Sequence, residues 1–189
     1  MGEVQPIRDK KKIKAMASVL KDKDEKYYTM FLLGIQTGLR VSDIVTKKVS
    51  DINYMYSRKI KEQKTGKTRF MYLNAESEKI IKQYIKDKGL TDDDYLIPSR
   101  RSDGHGKYQG CITPTQAYRV IKEAGESVGI DNIGTHTMRK TFGYHYYKQT
   151  HDVVPLMRIF NHSSQSITLH YIGIDTEEIQ QSLDNFFLL

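Results

Sequence analysis

Two arginines, two histidines and a tyrosine stand in four short stretches that lie far apart in the chain. They are Thr37-Gly38-Leu39-Arg40-Val41-Ser42-Asp43, His136-Thr137-Met138-Arg139, Asn161-His162-Ser163-Ser164, and Tyr171. Brought together, such a set can attack a phosphodiester without a metal. A tyrosine oxygen attacks phosphorus, forked guanidinium groups hold the phosphate oxygens, and imidazoles move protons and make hydrogen bonds. Spacing alone carries part of this. His136 and Arg139 are three apart, so a helix sets them side by side, although His-x-x-Arg pairs are common on solvated surfaces. Arg40 by itself reads as a helix-start arginine, and His162 as a helix-end histidine facing the dipole. Tyr171 is one of 13 tyrosines. A phenol near its ordinary pKa of about 10 is a poor nucleophile without neighbouring positive charge or a base.

The elements that must position these residues read as helices with one hairpin. The first helix spans about Asp9 to Leu20, with Ile13, Met16, Val19 and Leu20 on one face. A second runs from about Glu25 to Gln36 and is broken by Thr37-Gly38, glycine being the usual residue just past a helix end. Ser42 is expected to cap a short helix through about Lys47, which places Arg40 at a helix-to-helix turn. Lys59 to Gln63 and Thr68 to Leu73 read as a hairpin around Thr65-Gly66. Asn74 opens a helix with Ile80, Ile81, Tyr84 and Ile85 as its stripe. Ser99 to Gly110 reads as a surface loop. Thr113-Pro114-Thr115-Gln116 is a capping-box start for a helix ending at Gly129. Thr135 is expected to cap a helix from about His136 to Lys148. Asp152 begins a shorter one ending near Phe160, and a brief helix carries Ser164 to Tyr171. Asp175-Thr176-Glu177-Glu178 opens a final helix. The fold class is mainly α with a small antiparallel β-sheet (α+β), in a single domain over residues 1–189.

Composition sets the outer limits. A chain of 189 residues can bury a sizeable core, and 38% hydrophobic with 28% charged residues is ordinary for a soluble protein. No apolar run reaches the length of a membrane span, and the first residues lack a signal-peptide stretch. The single cysteine, Cys111, excludes an internal disulfide and fits a reducing cytosol, so a cytoplasmic location is expected. Thirty Lys+Arg against 23 Asp+Glu leave a charge of +7, which favours an anionic partner such as nucleic acid. The six histidines show no ligand-type pairing with cysteine, and there is no Walker or Rossmann glycine loop, so no metal and no cofactor is expected.

In order and spacing, the four stretches resemble the catalytic domain of tyrosine recombinases, the phage-integrase family. His136-Thr137-Met138-Arg139-Lys140-Thr141-Phe142-Gly143 is similar to the family's box around its paired histidine and second arginine. Thr37 to Asp43 resembles the first-arginine motif, with Asp43 in a supporting position where glutamate is commoner. The resemblance implies that Arg40 and Arg139 clamp the phosphate and that Tyr171, nine residues after His162, is the nucleophile. His136 would supply a base near it, and His162 a hydrogen bond to the phosphate. Asn161 stands where the family usually has glycine, and asparagine also tolerates the left-handed conformation. Tyr144, Tyr146 and Tyr147 read as packing or DNA-backbone contacts. The family carries a mobile hairpin lysine that protonates the leaving 5′ oxygen. Lys64 is the match before the Thr-Gly turn, and Lys67 is the alternative.

The implied function is site-specific DNA breakage and rejoining through a 3′-phosphotyrosyl intermediate, which needs no ATP because the covalent bond conserves the energy of the broken one. The implied partner is double-stranded DNA, with a monomer in free solution and a tetramer on DNA; the apolar end Phe186-Phe187-Leu188-Leu189 either folds back on its own core or, as the resemblance implies, docks into a neighbouring copy. The family's N-terminal DNA-embracing domain is expected to be absent. Two other readings stay open: a type IB topoisomerase, which shares the chemistry, and a non-catalytic DNA-binding protein of the same fold. Covalent protein–DNA adducts separate the last from the others.

Overall fold

The computed structural model describes residues 4–53, 58–61, 66, 68–99, 110–174, 183–184 and 186–187; for 58–61 and 68–70 it describes the backbone alone. Local signals start most of the helices. In α1 (Lys10–Lys23) the Asp9 carboxylate accepts the Lys11 N–H, and Met16 and Leu20 point inward. Asp24 then serves two helices. Its N–H donates to the Leu20 carbonyl, ending α1, and its carboxylate accepts from the Lys26 N–H, opening α2 (Glu25–Thr37). Asn74 caps α5 (Ala75–Asp87), and Thr113 with Gln116 forms the reciprocal capping box of α6 (Pro114–Ser127). Each such cap contributes on the order of 1 kcal/mol.

Helix α2 is apolar around most of its circumference, so packing surrounds it. Met30, Phe31 and Leu33 are fully buried, and α1, α5, α6 and α7 lie against it. Its Gly34 permits a close crossing with α7 (Thr137–Thr150): a Cβ at Gly34 would lie 2.6 Å from the Met138 sulfur. Lys26 is buried with its ammonium donating to the Pro98 carbonyl at 3.0 Å, 3.8 Å from the Asp24 carboxylate. The Tyr84 hydroxyl donates to Leu96 O at 3.0 Å. These ties hold the loop after α5, which also bridges Lys48 to Tyr95 and Pro98 to Cys111.

The buried side chains fall into two clusters. The larger surrounds α2 and reaches from Ile7 to Met138. The smaller consists of Tyr144, Leu156, Phe160, Ile172 and Ile174, between α7, α8 (Val154–Phe160) and α9 (Gln165–Tyr171). Between α4 (Ser50–Asn53) and α5, β1 (Arg58–Lys61) pairs antiparallel with β2 (Thr68–Met71), Arg58 opposite Met71 and Lys61 opposite Thr68. The described residues are otherwise mainly helical, and no helix among them is long and apolar enough to cross a membrane.

Several boundaries differ from the expectations. The helix after Gly38 is α3 (Val41–Val45), with Arg40 rather than Ser42 at the cap position. Gly38 turns left-handed at φ 61°, the chain extends through Arg40, and the Arg40 carbonyl accepts from Asp43 and Ile44. Thr135 does not cap α7 either. His136 holds that position, and Thr137 folds back so that its hydroxyl oxygen accepts the Gly134 N–H at 2.9 Å. Helix α7 continues to Thr150 and closes on His151, which is left-handed at φ 52°. Asp152 does act at the start of α8, accepting from the Val154 N–H, but the helix begins two residues later. Helix α4 had no signal in the sequence. The expected final helix from Asp175 falls mostly outside the described residues, as do Lys64 and Lys67.

Candidate active site

Three segments converge on Arg139. It sits on α7 and is buried, with 2% of its surface exposed. One terminal nitrogen donates to the Gly38 carbonyl at 2.6 Å and the other to the Phe160 carbonyl at 3.1 Å, across 101 and 21 residues of sequence. Its guanidinium carbon lies 4.5 Å from the centre of the Phe160 ring, and it is close enough to act on the Tyr171 phenol. One side chain therefore joins the turn before Arg40, the end of α8 before His162, and the tyrosine on α9. A guanidinium has five N–H donors in a fixed fork, so two carbonyls can set its plane while donors remain for another acceptor.

Tyr171 ends α9 half-buried. Its hydroxyl is 3.1 Å from His136 Nδ1. Phe160 and His162 meet its ring edge-on, with centroids 5.4 Å and 5.1 Å away. Burial pushes its phenol above the ordinary tyrosine range. Arg139, by charge and hydrogen bond, and Arg40, by charge, pull it back down without cancelling the burial effect. In this DNA-free state the tyrosine is a neutral phenol whose oxygen lies against a histidine ring nitrogen.

Arg40 is half-buried at the start of α3, close enough to act on both Tyr171 and His162. Asp43, one turn along, is buried at 2%. His162 follows Asn161, which adopts the left-handed conformation at φ 56° and ends α8. The His162 backbone N–H donates to the Met157 carbonyl, and Nδ1 lies 3.1 Å from the Thr168 hydroxyl. The Thr168 hydroxyl gives its only proton to the Ser164 carbonyl at 3.0 Å, so it accepts from His162, which places a proton on Nδ1. Burial, then Arg139 and Arg40, hold the His162 pKa below its ordinary value. Neutral His162 thus carries its lone pair on Nε2.

The structure brings Arg40, His136, Arg139, His162 and Tyr171 together and buries Asp43 beside them. Tyr144 is buried in the smaller cluster, with Tyr146 and Tyr147 packed against it. Sequence reasoning missed four contributors. Phe160 supplies a carbonyl and a ring, Gly38 supplies a carbonyl, Thr168 orients His162, and the Lys140 ammonium lies 5.4 Å from the Tyr171 ring centre. Only Lys140 left a signal, since it is four residues after His136 on the same helical face. Among the described residues no group of three His, Cys, Asp or Glu side chains is arranged to hold a metal ion.

Comparison with known proteins identifies the family. The model of the phage integrase family matches residues 8–178. A probable integrase/recombinase YoeC of Bacillus subtilis is 41% identical over 177 residues, covering 94% of this chain and 93% of the relative. The tyrosine recombinase XerA of Pyrococcus horikoshii is 26% identical over 180 residues; the chain spans only 59% of that relative's length. The fold is shared with the XerH site-specific recombinase solved in a post-cleavage complex with its difH substrate. The TM-score is 0.72 at 17% identity, covering 97% of this chain and 54% of XerH. With its mainly helical catalytic-domain fold and a family match over most of its length, the chain belongs to the phage integrase family of tyrosine recombinases.

Proposed function

We propose that this chain is a single catalytic domain that breaks and rejoins double-stranded DNA at specific sites through a 3′-phosphotyrosyl intermediate. The observation that carries the reading is the contact of the Tyr171 hydroxyl with His136 Nδ1 at 3.1 Å, beside an arginine whose fork is held by two backbone carbonyls. Tyr171 Oη forms the new bond to phosphorus, its proton passes to His136, and the bond from phosphorus to the 5′ oxygen breaks. Arg139 and Arg40 stabilise the charge that grows on the phosphate oxygens. Such stabilisation by donors already in place is usually the largest single term in catalysis of this kind. Lys64 gives a proton to the departing 5′ oxygen, with Lys67 as the alternative donor. His162 donates to the phosphate once Nε2 is protonated, and Asp43 steadies Arg40. Rejoining reverses these transfers with the 5′ hydroxyl of another strand as attacker. The net charge of +7 and the DNA-bound structural neighbour support DNA as the partner.

Assembly follows the same reading. Phe186 and Phe187 are 62% and 84% exposed, which supports a tail that docks into a neighbouring copy. The free protein is a monomer, because one short segment rarely outweighs the entropy of association. DNA that holds copies side by side raises their effective concentration and yields a tetramer. Deleting residues 186–189 should spare single-site cleavage and abolish paired-site complexes; a truncated monomer that melts much earlier would place the tail in its own core.

The test of the chemistry is covalent trapping on nicked DNA, followed by peptide mapping of the attached tyrosine. Tyr171→Phe should abolish the adduct and leave DNA affinity nearly unchanged. Adducts that persist in this variant, or map to another tyrosine, refute the assignment.

A further inference from the structure

The segment preceding α1 is an extended strap that crosses the site from behind. Ile7 is 3% exposed and belongs to the larger core. Its N–H donates to the Thr141 hydroxyl oxygen at 2.9 Å, and its carbonyl lies 2.9 Å from His145 Nε2. Thr141 and His145 are one turn apart on α7, the helix that bears Arg139. Both backbone polar groups of one strap residue are thus satisfied by one helix.

The next residue reaches the nucleophile's segment. Arg8 donates to the Gly173 carbonyl at 2.8 Å, across 165 residues of sequence, and its guanidinium carbon lies 5.5 Å from the centre of the Tyr144 ring. Gly173 is two residues after Tyr171 and is left-handed at φ 76°. A Cβ there would lie 3.3 Å from the Arg8 guanidinium and from Pro6, and 3.4 Å from the Gln5 amide oxygen. The strap and this turn are in close approach at Gln5, Pro6 and Arg8.

Helix α9 has seven residues. A helix of two turns has little stability of its own, so its orientation depends on tertiary ties. The buried cluster that holds it is the smaller of the two. Among the ties at its end are Ile172, buried against α7, and Arg8, which links the turn to a strap anchored in the larger core.

We propose that Arg8 is a positioning residue for Tyr171, with the strap of residues 4–9 acting as the brace that connects the main core to the turn behind the nucleophile. This rests on the assignment of Tyr171 above. Arg8 touches the turn and Tyr144, so its effect on cleavage passes through the placement of the tyrosine.

The experiment compares wild type, Arg8→Ala and Arg8→Lys on a nicked DNA substrate, measuring the single-turnover cleavage rate at saturating DNA separately from the Kd. Hydrogen exchange at residues 172–174 is followed in the DNA-free protein. Arg8→Ala should cleave about tenfold more slowly, a part of the roughly hundredfold loss expected from a 1 Å misplacement. Its Kd should stay unchanged, and exchange at Gly173 and Ile174 should quicken. Thr141→Val, which removes the acceptor for Ile7, should move rate and exchange in the same direction. A weaker Kd in Arg8→Ala, restored by Arg8→Lys, with an unchanged rate at saturation, would show a phosphate contact and overturn the proposal. Unaltered exchange at the turn overturns it whichever tyrosine reacts. Adducts mapped to another tyrosine overturn the assignment of Tyr171 and Arg8's part in catalysis, while the exchange result still reports on the brace itself.

Discussion

Gly143 is the position where one methyl group should separate stability from catalysis. It lies on the face of α7 that meets α8 and α9. A Cβ there would sit 2.5 Å from Ile172 Cγ2 and 2.8 Å from two carbons of the Phe160 ring. Carbon contacts are comfortable near 3.5–4.0 Å, so roughly 1 Å of movement is required. Neither neighbour can swing away. Ile172 is β-branched and fully buried, and Phe160 is 1% exposed, with its ring between Arg139 and Tyr171. Ile172 directly follows Tyr171, and Phe160 carries a carbonyl that sets the Arg139 fork. The displacement therefore falls on the two groups whose alignment matters most. Overpacking costs about 1–3 kcal/mol, and replacing a helical glycine by alanine returns about 1 kcal/mol. The net loss of about 0–2 kcal/mol lowers Tm by only a few degrees, at about 2–4 °C per kcal/mol for a chain of this size. A misplacement of about 1 Å at the reacting groups costs on the order of a hundredfold in rate. Gly143→Ala should thus remain folded and bind DNA, yet form the covalent adduct about a hundredfold more slowly. Thermal unfolding and single-turnover cleavage on nicked DNA measure the two effects. Cleavage at the wild-type rate would refute the idea that the α7–α9 contact sets the tyrosine's position.

Three further outcomes are expected. Arg139→Lys keeps a charge but cannot hold the Gly38 and Phe160 carbonyls together, so cleavage should fall by about 10²–10³-fold; near-normal cleavage would mean a generic electrostatic role. Lys64→Ala should be slow on ordinary DNA and rescued when sulfur replaces the leaving 5′ oxygen, because sulfur leaves without a proton; rescue confined to Lys67→Ala would move the role to Lys67. His162 is held below its ordinary pKa by burial and by the two arginines, so it is neutral in the free protein where an unfolded histidine has begun to protonate. Its contribution to stability is therefore present above about pH 6.5 and is lost as pH falls through that value toward its own lower pKa. A phosphate beside it favours the protonated form, so DNA affinity should rise as pH falls over the same window. NMR titration of His162 with and without DNA checks the shift, and an unchanged midpoint on binding would exclude its contact with phosphate.

Much of this molecule is written locally. Asp9, Asp24, Asn74, Thr113 and Ser164 each satisfy N–H groups within three residues of themselves, so the starts of α1, α2, α5, α6 and α9 are legible from the sequence. The candidate site residues were legible through the resemblance of their four stretches to the phage-integrase boxes, since by type and spacing alone Arg40, His162 and Tyr171 read as ordinary helix-end and surface groups. The starts of α3 and α7 were not, since their caps depend on a left-handed Gly38 and on Thr137 turning back to Gly134, choices made by packing. Least legible were the partners of Arg139. Its carbonyl acceptors at Gly38 and Phe160 have no signature as residues, because any residue offers a carbonyl. They become its partners only because α2 crosses α7 closely at Gly34, and α8 returns beneath the same helix. Sequence thus determined which groups could do the chemistry and which short segments carry them. Tertiary packing decided their distances, the burial that raises the Tyr171 pKa, and the orientation of the fork, because those depend on contacts between residues distant in the chain.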